Sequence, residues 1–85
     1  MINASVPVAL ASDFNPNAYC LDMSTVMNLA CVTLKMSMQE ALVASTINAA
    51  GALGIGDRCG SLAVGKQGDC VVLDANSWEH IIYQV

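Results

Sequence analysis

Six consecutive apolar residues, Val6-Pro7-Val8-Ala9-Leu10-Ala11, leave an extended chain no polar face to turn to water. A strand covered on one side alternates apolar and polar side chains. An unbroken run of this length predicts a strand covered on both faces, as in a parallel sheet flanked by helices. Pro7 lacks an amide donor and stands at the start of the run, where a strand tolerates it. The run stops at Ser12-Asp13-Phe14-Asn15-Pro16-Asn17, whose Asp, Asn and Pro predict a polar loop. Parallel strands pair only through crossovers of a dozen or more residues, so a strand of this kind needs partners that lie far away in sequence.

Two helical patterns follow. Met23, Val26, Met27, Ala30, Cys31 and Leu34 recur at the spacing of one helix face, with Asp22 placed to cap the first turn and Lys35 suited to the negative end of the helix dipole. Ser37-x-x-Glu40 is a capping-box pattern and predicts a second helix that Gly54 stops. The interior of that helix is small and apolar nearly all round, including Ala44, Ala49, Ala50 and Ala52, with an unfavourable Gly51. Such a helix packs closely against neighbours on several sides. Beyond Gly54, glycines at 56, 60, 65 and 68 punctuate short segments, with strands expected at Cys70-Val71-Val72-Leu73 and from His80 to Tyr83. No internal repeat or low-complexity tract interrupts the order strand, loop, helix, helix, glycine-rich β structure.

The hydrophobic content, 55% against 12% charged, is that of the interior of something larger than 85 residues. A net charge of −4, with Lys35, Arg58 and Lys66 scattered, gives no footprint for nucleic acid or an anionic membrane. No apolar run approaches the roughly 18 residues of a membrane-spanning helix. The first residues show no secretory signal, which makes a cytoplasmic location the expectation. Cys20, Cys31, Cys59 and Cys70 form no C-x-x-C pair and are expected to be buried free thiols.

Asp13 stands just past the end of the predicted parallel strand, where α/β folds place catalytic groups. Position alone leaves a second role open, organising the turn from Asp13 to Asn17. The lone histidine, His80, sits beside Trp78 and Ile81 and is expected to be packed or at the surface rather than a ligand. Asp69 and Asp74 flank the run from Cys70 to Leu73, and turn roles account for them. Gly54-x-Gly56 lacks the third glycine and the preceding strand of a nucleotide loop.

The stretch Ala9-Leu10-Ala11-Ser12-Asp13-Phe14-Asn15-Pro16-Asn17-Ala18 resembles the segment after the eighth strand of the metal-dependent (β/α)8 barrel in the amidohydrolase superfamily. Ala44-Ser45-Thr46-Ile47-Asn48-Ala49-Ala50, and the stretch from Gly60 to Asp74, are similar to the tail that leads from that barrel back to a β-sandwich domain. The glycine-rich tail is shared across many amidohydrolases. Asp13-Phe14-Asn15-Pro16-Asn17 with Trp78-Glu79-His80 resembles one subfamily, which opens the ring of 4-imidazolone-5-propanoate with water.

The resemblance runs from about Ser5 to the end and implies an α/β architecture. Residues 1–55 would be the C-terminal end of the barrel, and residues 56–85 the return to the β-sandwich domain. It implies a small-molecule substrate, one zinc or iron in the intact parent, and leaves a homodimer open as the parent's assembly. Asp13 would ligate the metal and could accept the proton of the attacking water. Asn15 would hydrogen-bond the substrate through its amide. Asn17 and Ala18 would line the substrate site, at positions where many bacterial members carry Gly and then Ser or Thr. A catalytic zinc takes three protein ligands plus water, and the family's histidine ligands come from earlier strands, so this chain alone is expected to be catalytically silent. Two other readings stay open: a non-enzymatic remnant or interaction segment, and a piece of another amidohydrolase, deaminase-like or dihydroorotase-like.

Overall fold

Asp22 opens the first helix in the computed structural model, which describes residues 6–13, 16 and 22–83. Its backbone is extended (φ −126°, ψ 111°), and its side chain accepts from the Ser24 amide at 2.9 Å, satisfying an amide that the helix itself leaves unpaired. The helix, α1, covers Met23–Val32. Met27 and Ala30 of the predicted face are buried, and Met23, Val26 and Cys31 half-buried. Leu34 departs from that expectation and is 67% exposed, because α1 ends at Val32 and Lys35 then takes a left-handed backbone (φ 59°). The turn closes with the Met36 amide donating to the Ala30 carbonyl at 3.1 Å.

The second helix is two helices. Ser37 and Glu40 form the capping box, with the Glu40 amide donating to Ser37 Oγ at 3.1 Å and the Ser37 amide to Glu40 Oε1 at 2.8 Å. From this cap α2 runs Met38–Ser45 and α3 runs Ile47–Ala52, broken at Thr46 (φ −117°, ψ −91°). The Thr46 hydroxyl donates to the Leu42 carbonyl at 2.7 Å, a back-bond of the kind that bends helices and that a continuous apolar pattern hides. Gly54 ends α3 as expected, at a left-handed φ of 75°.

No strand forms among the described residues. Residues 6–11 keep a strand's periodicity, since Val8 and Leu10 are half-buried while Pro7, Ala9 and Ala11 are exposed, but they have no neighbouring strand. The run is therefore covered on one face, not two. Residues 70–73 are likewise unpaired, with Val71 74% and Val72 92% exposed, and Cys70 is exposed rather than a buried thiol. Cys31 and Cys59 are free and half-buried. His80–Tyr83, expected as a strand, is a short helix, α4, preceded by turns in which the Ile81 amide bonds to the Trp78 carbonyl at 3.1 Å. Without a sheet to join, these amides find their acceptors locally.

The core joins the two ends of the sequence. Met27 of α1, Ala41 of α2 and Ile82 of α4 are buried together, with Leu10, Leu42, Trp78 and Ile81 packed around them. Asn28 of α1 donates from Nδ2 to the Ile82 carbonyl at 3.0 Å and fastens α4 to α1. Packing thus runs from α4 through α1 and α2 to α3.

Candidate functional site

Asp13 ends the extended segment and is exposed. Its backbone is left-handed (φ 54°), a conformation that aspartate tolerates better than most residues because its short polar side chain can bond locally. The turn expected from Asp13 to Asn17 lies mostly outside the described residues. Asn15, Asn17 and Ala18 lie outside the described residues, as does Cys20.

The segment that carries Asp13 is anchored upstream. The Leu10 amide donates to the Ala44 carbonyl of α2 at 2.9 Å, and Asn48 of α3 donates from Nδ2 to the Val8 carbonyl at 2.9 Å. In the sequence Asn48 stands only within the family pattern from Ala44 to Ala50. Its signal was available: it is the one polar side chain in α3, whose sequence is otherwise Ile, Ala and Gly, and an amide placed there needs a hydrogen-bond partner. Beside these anchors a shallow apolar cleft of about 300 Å³ opens between Val6, Pro7 and Val8 on one side and Met36, Val43 and Ala44 on the other. Asp13 is not in its walls.

A second, polar cleft is lined by Leu73, Asp74, Ala75, Asn76 and His80. His80 is half-buried, in keeping with the packed or surface role expected of it. Among the described residues no three His, Cys, Asp or Glu side chains form a group able to hold a metal. The donors present do not fit a catalytic metal by themselves: Asp13 is one carboxylate where three protein ligands are needed. No described helix is long and apolar enough to cross a membrane.

Similarity to known proteins extends through this whole arrangement. The model of the amidohydrolase family matches residues 1–84. Over 84 residues the chain is 64% identical to a probable imidazolonepropionase of Xenopus tropicalis and 61% identical to one of Homo sapiens, in each case across 99% of this chain. It is 46% identical over 84 residues to the imidazolonepropionase of Shouchella clausii (strain KSM-K16), across 98% of this chain. The matches cover 19%, 20% and 19% of those relatives, so the chain spans about a fifth of the length of the curated relatives it matches.

Proposed function

Because the chain belongs to the amidohydrolase family, we propose that it works as the C-terminal segment of an imidazolonepropionase, which hydrolyses 4-imidazolone-5-propanoate to N-formimidoyl-L-glutamate in histidine degradation. The observation that carries this reading is the 46–64% identity over 98–99% of the chain. In the reaction, water oxygen bonds to the ring carbonyl carbon, the carbon–nitrogen bond of the cyclic amide breaks, and the departing nitrogen takes a proton. Amidohydrolases generally bind divalent metals, and the metal here would be zinc or iron, held mostly by residues outside this segment.

Asp13 contributes one carboxylate, as a donor to that centre and as a proton acceptor at its own oxygen. Asn15 offers an amide that both donates to and accepts from the substrate, and Asn17 and Ala18 line the same loop. Residues 1–55 would close the barrel and residues 56–85 lead back to the β-sandwich domain. The location would be cytoplasmic, and a homodimer stays open as the parent's assembly.

The test uses the longer protein that carries this segment. It should consume 4-imidazolone-5-propanoate, and Asp13→Asn, which keeps shape and removes charge, should nearly abolish turnover while the melting temperature stays close to wild type. The 85-residue chain should show no turnover and should lose zinc on dialysis against a moderate chelator. An active, fully metallated Asp13→Asn protein would overturn the assignment.

A further inference from the structure

The segment ending on Asp13 touches the helices through a matched pair of bonds. In an extended chain the carbonyl of one residue and the amide two residues later point to the same edge, and Val8 and Leu10 are such a pair. Asn48 Nδ2 takes the Val8 carbonyl at 2.9 Å, and the Ala44 carbonyl takes the Leu10 amide at 2.9 Å. Ala44 and Asn48 lie on either side of the break at Thr46, so the α2–α3 junction supplies one acceptor and one donor in the places where a neighbouring strand would offer them.

One bond alone would let the segment pivot or slip; two define its line. A slip of one residue turns every side chain to the opposite face and moves it by about 3.3 Å along the chain. Asp13 stands three positions beyond Leu10 with a left-handed backbone, so any such shift passes directly to its carboxylate. Asparagine is a poor choice within a short apolar helix, and the bond to Val8 accounts for its presence there.

We infer that Asn48 is a positioning residue for Asp13: its side-chain amide sets the register of residues 6–13 against α2 and α3, and so sets where the Asp13 carboxylate stands. The inference rests on the role proposed above for Asp13. Three variants test it. Asn48→Asp keeps the shape but turns a carboxylate oxygen toward the Val8 carbonyl, Asn48→Ala removes the donor, and Asn48→Gln keeps an amide.

In the 85-residue chain, at a dilution where it is monomeric, Leu10 amide exchange should quicken about five- to tenfold in the first two variants, the effect of losing one hydrogen bond. Amides within α1 should be unchanged. In the longer protein kcat should fall by up to about 10²-fold with KM nearly constant, as expected of a misplaced catalytic group. Asn48→Gln should recover most of both. Unaltered Leu10 exchange in Asn48→Asp and Asn48→Ala overturns the inference, and so does an unaltered kcat when Leu10 has loosened. Wild-type protein that ignores the imidazolone sinks the functional reading instead, and the exchange of Leu10 still decides whether Asn48 holds the segment.

Discussion

Ser45 and Gly60 are single residues whose substitution by alanine should have opposite effects. The Ser45 hydroxyl is buried at the end of α2 and has no hydrogen-bond partner among the described residues. Leaving such a group unsatisfied costs about 1–3 kcal/mol, so Ser45→Ala should leave the melting temperature equal or higher. A clear drop on thermal denaturation would mean that the hydroxyl has a partner after all. Gly60 has a left-handed φ of 98°, and a Cβ there would stand 2.9 Å from Ala50 Cβ and 2.9 Å from Ile47 Cα. The obstruction is partly backbone of α3 and cannot swing aside, so Gly60→Ala should destabilise by about 1–3 kcal/mol through crowding, with backbone strain added. Equal melting temperatures for Gly60→Ala and wild type would show that the loop after Ile55 does not pack on α3 as described.

Among the elements, α2 depends most visibly on its cap. It is eight residues long, too short to persist on propensity alone, and Ser37 with Glu40 satisfies two amides at its start. Ser37→Ala should cost about 1 kcal/mol and lower helical circular dichroism at intermediate denaturant. Lys35 offers the converse test. It holds a left-handed backbone between α1 and α2 that glycine adopts without penalty, so Lys35→Gly should stabilise by up to about 1 kcal/mol. A loss of stability would show that the lysine stem packs productively or that unfolded-state entropy outweighs the relief. Both measurements concern the α1–α2 pair, which carries Met27 and Ala41 of the core.

The whole molecule exposes 6221 Å², whereas a compact monomer of 8.9 kDa exposes about 4,800 Å². Among the described residues the buried hydrophobics are Met27, Ile82 and four alanines, which remove little apolar surface from water. Leu29, Val32, Leu53, Leu62, Val71 and Val72 stay exposed. Apolar surface of that extent drives association. On size exclusion at micromolar concentration the 85-residue chain should elute ahead of its monomer position and shift back on dilution or in mild denaturant. A single concentration-independent monomer peak would show that these residues are tolerated in water and would weaken the view that this chain is covered by further polypeptide.

What the sequence determined by itself is local. The Asp22 cap, the Ser37–Glu40 capping box and the stop at Gly54 were all legible, because each partner lies within four residues and its chemistry does not depend on the rest of the fold. Roles for Asn15, Asn17 and Ala18 come only through family resemblance, and the turn expected from Asp13 to Asn17 lies mostly outside the described residues. The apolar patterns at 6–11 and 70–73 suit strands, but a strand is a relation between segments, and among the described residues no strand lies beside either. The Ile81–Ile82 pair fits a strand or a helix equally, and packing against α1, with Asn28 bonded to the Ile82 carbonyl 54 positions away, decided for the helix. Asn48 was decided the same way, by an acceptor 40 positions distant. Capping energies are settled between neighbours in sequence, while a ladder, a core and a register each need groups that only folding brings within hydrogen-bonding or van der Waals reach.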